Sequence, residues 1–104
     1  MNVIYMIECE NLARVLVKFF ATVREVTGVK NIEMEADTIR EMLDSLQVTF
    51  GDRFTQAVID PETGNLKQFF SCMINGKRIE LLNGYDTKLA DNDAIALFPP
   101  VGGG

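Results

Sequence analysis

Two segments near the ends of the chain combine dense apolar residues with β-strand composition. The first is 13–20 (ARVLVKFF), rich in Val, Leu and Phe, and the other is 94–98 (AIALF), which Pro99 and Pro100 stop. Continuous apolar runs are typical of strands buried on both faces. The pattern therefore predicts two doubly buried central strands, the first and the last of the fold.

Three further segments have strand character. Residues 31–35 alternate polar and apolar side chains, the period-2 pattern of a half-buried strand. Residues 69–74 are rich in β-formers and end at Asn75-Gly76, a dipeptide that favours a type I′ hairpin turn. A short run, 79–82, follows this turn and is predicted to pair back as a strand.

One long amphipathic helix is predicted in the middle of the chain. Residues 38–41 (TIRE) match the capping box of a helix start. Apolar positions then recur at helical spacing at Ile39, Met42, Leu43, Leu46 and Phe50. Residues 54–59 continue the helix irregularly until a polar turn at 60–65. Residues 21–28 break the strand pattern between the first two predicted strands, and Gly28 is suited to a turn or to the end of a helix.

The predicted order is strand, strand, helix, strand, short strand, strand, within the 104 residues of one domain. A single helix on one face of a mixed sheet of about five strands satisfies the need of each layer for an apolar partner. The order fits an α+β fold of the β-grasp type, with the first and last strands side by side. The predicted organisation is an N-terminal extension (1–12), a β-grasp domain (13–98) and a tail (99–104).

The composition excludes most forms of catalysis by side chains. The chain has no histidine, and Cys9 and Cys72 lie far apart, so imidazole bases, Cys-His catalysis and a metal site are not expected. Asp91 and Asp93 favour a turn over acid–base work. Cys72, between strand residues, is predicted to be a small buried hydrophobe, and Cys9 is assigned no role. Two cysteines exclude a disulfide framework and favour the cytoplasm.

Net charge narrows the choice of partners. Fifteen acidic against ten basic residues give a net charge of −5, which opposes binding to nucleic acid or to an anionic membrane surface. An acidic protein instead suits docking against basic patches on other proteins. No apolar run is long enough to cross a bilayer. The segment 1–12 lacks a basic start, so no signal peptide is predicted.

The end of the chain has the most unusual composition: Phe98-Pro99-Pro100-Val101-Gly102-Gly103-Gly104. Two prolines favour an extended exit from the last strand. Glycines without side chains fit a channel only as wide as the backbone. ATP can activate a terminal carboxylate as an acyl adenylate, which a thiol, sulfide or amine then attacks. On composition alone, the glycines suit an unstructured end equally well.

Three sequence motifs lie at 19–28 (FFATVREVTG), 74–77 (INGK) and 91–104 (DNDAIALFPPVGGG). In this order they resemble the MoaD family, the ubiquitin-like sulfur-carrier small subunit of molybdopterin synthase. The resemblance runs from about Val15 to the last residue. Asn92 stands where the family usually has glycine, and residues 1–12 precede the family's usual start.

The resemblance implies a carrier cycle. A ubiquitin-activating-like adenylyltransferase uses ATP to adenylate Gly104, sulfur converts the terminus into a thiocarboxylate, and the large subunit of molybdopterin synthase transfers this sulfur to a pterin precursor. No bound cofactor is implied. Phe20 and Phe98 would belong to a partner-binding apolar patch, although both also suit an ordinary core. Arg24 matches the signature arginine, for which a structural ion pair is expected. The segment inserted into the partner would be Pro99, Pro100, Val101, Gly102 and Gly103.

Other functions fit the same terminus. Gly104 could form an isopeptide bond with lysines of target proteins, as in the small archaeal modifiers, which are similar in sequence. The chain could also be a related thiazole or tRNA-thiolation sulfur carrier, or a β-grasp binding module with an inert tail. The Phe-Phe-Ala-x-x-Arg-Glu and Phe-Pro-Pro motifs favour the molybdopterin branch.

Overall fold

The computed structural model describes residues 12–99, so residues 1–11 of the predicted extension and 100–104 of the predicted tail lie outside the described part. Between them, two helices and a five-stranded sheet form the β-grasp fold that the sequence predicts. No helix in this part is long and apolar enough to span a membrane. In chain order the elements are β1 (Ala13–Phe19), α1 (Ala21–Thr27), β2 (Asn31–Ala36), α2 (Ile39–Val58), β3 (Ser71–Ile74), β4 (Lys77–Arg78) and β5 (Ala94–Phe98).

The sheet is mixed, with strand order β2-β1-β5-β3-β4. β1 and β5 run parallel in its centre, where Phe19 pairs with Leu97, while β2 and β3 flank them in antiparallel register. The predicted side-by-side placement of the first and last strands is confirmed. Parallel neighbours need a long crossover, and the whole chain between β1 and β5 supplies it.

Helix α2 covers one face of the sheet and closes the core. Its first turn is capped as predicted, because the Thr38 hydroxyl accepts a hydrogen bond from the Glu41 amide at 3.2 Å. The Glu41 carboxylate accepts in return a hydrogen bond from the amide of Asp37. In the usual capping box this donor is the amide of the N-cap residue, which here is Thr38. The fully buried side chains of the helix are Ile39, Met42, Leu43, Leu46, Phe54 and Val58.

A break inside α2 accounts for its irregular second half. Gly51 has φ 77° and ψ −160°, a conformation that is essentially restricted to glycine. The break allows both halves to face the core: the Phe50 ring packs edge-on against Phe19, at 5.6 Å between centroids, and Phe54 is fully buried. The helix therefore bends at a glycine rather than losing its apolar face.

The prediction that β1 and β5 are buried on both faces is wrong. Along β1, buried residues alternate with exposed or half-buried ones, and Lys18 is exposed. In β5 only Ile95 and Leu97 are fully buried. A single helix layer can cover only one face of a sheet, so the apolar residues of the other face remain partly open to solvent.

Two other predictions differ from the structure. Residues 21–28 do more than interrupt the strands, since Ala21–Thr27 forms a short helix that ends at left-handed Gly28. The predicted strand 79–82 is wrong: β4 contains only Lys77–Arg78, and Ile79–Leu81 forms a 3-10 turn. The turn before β4 is as predicted, with positive φ at Asn75 and Gly76.

Candidate functional site: the base of the tail and the outer face of the sheet

Strand β5 fixes the position from which the tail leaves the domain. Its last residues pair on both sides, Leu97 with Phe19 of β1 and Phe98 with Ser71 of β3. Pro99, directly after Phe98, is half-buried and is the last residue described. Because β5 lies in the middle of the sheet, the tail starts from a firmly paired central strand and not from a loose edge.

The two aromatic residues predicted to bind partners lie together at this point. Phe20 and Phe98 contact each other edge-to-face, with ring centroids 6.2 Å apart and an interplanar angle of 84°. Phe20 is 47% exposed and Phe98 is half-buried, so neither is an ordinary core aromatic. The amide of Phe20 also donates to the carbonyl of Leu97 at 3.1 Å, which ties the start of this segment to β5.

The turn after Phe20 has an unusual backbone. Phe20 is extended, with φ −125°, whereas Ala21 has φ 52° in the left-handed region that an alanine rarely occupies. Helix α1 then begins at once, and the Phe20 carbonyl accepts from the amides of Val23 and Arg24. The reversal at Ala21 turns the chain away immediately after Phe20 and leaves its ring on the surface beside Phe98.

These aromatics belong to a larger apolar surface on the side of the sheet opposite α2. Register and alternating burial place six residues there, and all are exposed or half-buried. We call this set the outer apolar face: Leu16, Phe20, Met73, Ala94, Ala96 and Phe98. It ends at the tail base, since Phe98 precedes Pro99. Apolar side chains that remain partly exposed beside one another on one face of a sheet are typical of a protein-binding site.

The acidic residues near the start of β5 form a turn, as predicted. The Asp91 carboxylate accepts from the amide of Arg14 at 2.9 Å, and that of Asp93 accepts from the side chain of Asn75 at 2.9 Å. Asn92 between them has φ 73°, which asparagine tolerates better than most residues. These carboxylates therefore hold the loop in place at the end of the sheet remote from the tail.

Cys72 is the small buried hydrophobe that the sequence predicts. It is 2% exposed and lies opposite Leu97 in the core face of the sheet. Burial, together with the nearby charge of Glu80, raises the pKa of its thiol from 9.0 to about 12. A thiol held neutral and out of solvent is a poor nucleophile, so Cys72 is not suited to carry a persulfide.

The structure also changes the interpretation of Arg24. This residue is exposed on α1 and forms no salt bridge with a carboxylate of residues 12–99, so the expected structural ion pair is wrong within this part. Sequence reasoning also missed Lys18, which lies between Leu16 and Phe20 on the side of the outer apolar face, and Arg78, which lies beside Met73 at the edge of that face. Both became apparent only when the strand register placed them in one row, which no local pattern signals.

Comparison with known proteins agrees with this geometry. The model of the ThiS family matches residues 17–104, which include β5 and the entire tail. The chain belongs to the ThiS family. The resemblance found in the sequence is therefore confirmed at the broader level of the ubiquitin-like sulfur-carrier family.

Individual relatives include modifiers as well as carriers. Small archaeal modifier protein 3 of Haloferax volcanii is 39% identical over 90 residues, 84% of this chain and 95% of that protein. Sulfur carrier protein CysO of Mycobacterium tuberculosis is 26% identical over 78 residues, 74% of this chain and 83% of that protein. The solution structure of small archaeal modifier protein 1 of Methanosarcina acetivorans has a TM-score of 0.80 and 30% identity, covering 89% of this chain and 98% of that one.

Proposed function

We propose that this ThiS-family chain is a sulfur carrier whose reactive group is the carboxylate of Gly104, and that it supplies sulfur for molybdopterin synthesis. The observation that carries the proposal is the tail base. A firmly paired central strand delivers Pro99 beside an aromatic pair, the exposed Phe20 and the half-buried Phe98, and the family model extends through the glycines.

The chemistry would take place on the partner enzymes. The Gly104 carboxylate attacks the α-phosphate of ATP and releases pyrophosphate, which forms an acyl adenylate. Hydrosulfide then attacks the acyl carbon, displaces AMP and leaves a thiocarboxylate at the terminus. In the large synthase subunit the thiocarboxylate sulfur would bond to a carbon of the pterin precursor and displace an oxygen leaving group from it. Hydrolysis of the resulting thioester would leave the sulfur on the pterin and regenerate the Gly104 carboxylate. The side chains of this protein would serve for binding and positioning.

The length of the tail limits where this reaction can occur. Five residues, 100–104, separate Pro99 from the reacting carboxylate. Fully extended, they span at most about 18 Å. A partner must therefore bring its active site within that distance of Pro99, so it docks close to Phe20 and Phe98. In this proposal the outer apolar face binds the ubiquitin-activating-like adenylyltransferase and, after sulfur transfer, the large synthase subunit.

Deletion of Gly104 tests the site directly. We expect the truncated chain to keep the thermal midpoint of the full chain, because the deleted residue follows the last described strand, while ATP-dependent pyrophosphate exchange with the adenylyltransferase is abolished. Exchange at an unchanged rate would overturn the assignment of Gly104.

A cellular experiment tests the sulfur acceptor. In a strain lacking this gene, we expect molybdoenzyme activity to be lost, to return with the wild-type chain and not to return with the Gly104 deletion. Normal molybdoenzyme activity in the strain that lacks the gene would exclude the molybdopterin role, and the carrier would then serve another sulfur acceptor. The enzymes of this cycle would operate in the cytoplasm.

A second candidate function is protein modification, in which the amine of a target lysine attacks the adenylated or otherwise activated Gly104. The identity of 39% with small archaeal modifier protein 3 favours it. The two functions share the activation step and separate afterwards. A ladder of lysine conjugates in cells, absent from the Gly104 deletion strain, would support the modifier, whereas a pool of free thiocarboxylate would support the carrier.

A further inference from the structure

One row of residues crosses four strands of the outer apolar face. Lys18 of β1 pairs with Ala96 of β5, Ala96 pairs with Met73 of β3, and Met73 pairs with Arg78 of β4. Paired residues point to the same side of a sheet, so two cations flank a small apolar centre. Three strand spacings place Lys18 and Arg78 about 14 Å apart.

Both cations remain available to a partner. Lys18 is exposed and forms no salt bridge with any residue in the 12–99 range. The Arg78 Nε atom lies 3.8 Å from Glu80 Oε1, which is long for an ion pair, and both side chains are at least 60% exposed. Such surface ion pairs contribute little to stability. Arg14, by contrast, is shared between Glu33 and Glu35 at the end of the face remote from the tail.

The position of this row is unexpected for a chain with a net charge of −5. Acidic residues exceed basic ones over the whole chain, yet Lys18 and Arg78 lie on either side of Ala96 and Met73 on the face of the sheet that adjoins the tail base. The adjoining position of the same strand, two residues beyond Ala96, is Phe98, which directly precedes Pro99. A partner that receives the tail therefore also covers this row.

We propose that Lys18 and Arg78 select the activating partner, which would present an apolar patch between two carboxylate-bearing regions about 14 Å apart. The inference rests on the proposed function, because the partner is the enzyme that adenylates Gly104. Charge complementarity across an interface governs encounter rate and choice of partner more than the chemical step. Lys18 and Arg78 are thus specificity residues that act on docking.

The test is pyrophosphate exchange by the adenylyltransferase of the same organism, with this chain as substrate. The double variant Lys18→Glu with Arg78→Glu is expected to raise KM by at least about tenfold and to leave kcat unchanged, since the reacting carboxylate is untouched. Raising salt from about 0.05 M to 0.5 M should increase KM for the wild-type chain and decrease it for the variant, because screening removes attraction in one and repulsion in the other.

A matched control carries the same change in net charge elsewhere. Lys30, in the turn before β2, and Arg53, on α2 in the opposite layer, are both exposed. The variant Lys30→Glu with Arg53→Glu should keep the wild-type KM and salt dependence. Equal KM values for the two double variants would overturn the inference while leaving the proposed function intact. Absence of exchange with the wild-type chain would overturn the proposed function and the inference with it.

Discussion

Ala21 illustrates how a single backbone angle shapes the candidate site. Its φ of 52° costs an alanine about 1–2 kcal/mol, a strain that is tolerated where the surrounding structure requires it. Here the turn separates β1 from α1 and leaves Phe20 exposed beside Phe98. The sequence shows an apolar run followed by a break, which locates the turn but gives no sign of a left-handed alanine.

Replacing Ala21 by glycine should therefore stabilise the fold. Glycine removes the strain energy of the left-handed backbone, and this gain exceeds the free-energy cost of the larger conformational entropy that glycine gives the unfolded chain. We expect the free energy of unfolding to rise by up to about 1 kcal/mol. The control is Ala57→Gly in helix α2, which should cost about 1 kcal/mol. Urea denaturation measures both. A loss of stability in the Ala21 variant as large as in the control would contradict the left-handed conformation.

Burial of Cys72 predicts a pH dependence of stability. The folded thiol has its pKa raised to about 12, while the unfolded thiol titrates near 9.0, so only the unfolded state releases a proton between these values. Stability from this group is complete below pH 9 and declines above it, by about 1.4 kcal/mol per pH unit.

The free energy of unfolding of the wild type and of Cys72→Ala, both in a Cys9→Ser background, checks this effect. As the pH rises from about 9 to about 10.5, the free energy of unfolding of the protein with Cys72 should fall relative to that of the Cys72→Ala variant. A difference that stays constant over this range would show that the Cys72 thiol titrates equally in both states.

Among the elements, α2 shows both the success and the limit of sequence patterns. The capping box and the spacing of Ile39, Met42, Leu43 and Leu46 predict its start and its buried face, because helix caps and 3.6-residue periodicity are local properties. Gly51 is visible in the sequence, but its φ of 77° depends on how both halves of the helix meet the core. The same tertiary dependence explains why 79–82 does not continue β4.

The break in α2 can be tested with Gly51→Ala. Nothing lies within 4 Å of the added Cβ, so the cost arises from backbone strain alone. We expect a loss of about 2 kcal/mol in the free energy of unfolding. Thr49→Ala, at an exposed position of the same helix, should change stability by less than about 0.5 kcal/mol. Similar small effects of both substitutions would mean that the helix continues smoothly through residue 51.

For the whole molecule, the sequence predicts the order of elements and the central pairing of β1 and β5, but it overestimates their burial. Continuous apolar runs are compatible with a core on both sides of the sheet, or with a core on one side and a partly exposed apolar face on the other. The alternating burial along β1 in the structure shows the second arrangement. The row from Lys18 to Arg78 could not be predicted, because it depends on the register of four strands.

At this scale we predict that Phe20→Asp weakens binding to the large synthase subunit by about 2 kcal/mol, because it places a charge in the apolar contact beside the tail. Phe98→Asp should have the same effect and serves as an independent variant. The control is Val48→Asp, an 85% exposed position on α2 that faces away from the sheet. Calorimetry with all three folded variants measures the difference. If the Phe20 and Val48 variants bind equally well, the outer apolar face is not the contact.

The central claim is that the terminus of this protein carries sulfur. Intact mass spectrometry of the protein recovered from its native cells, followed by analysis of the C-terminal peptide, tests it most directly. We predict a fraction in which sulfur replaces one carboxylate oxygen of Gly104. Gly104 joined to lysines of other proteins, with no thiocarboxylate in the free pool, would contradict the carrier and establish the modifier in its place.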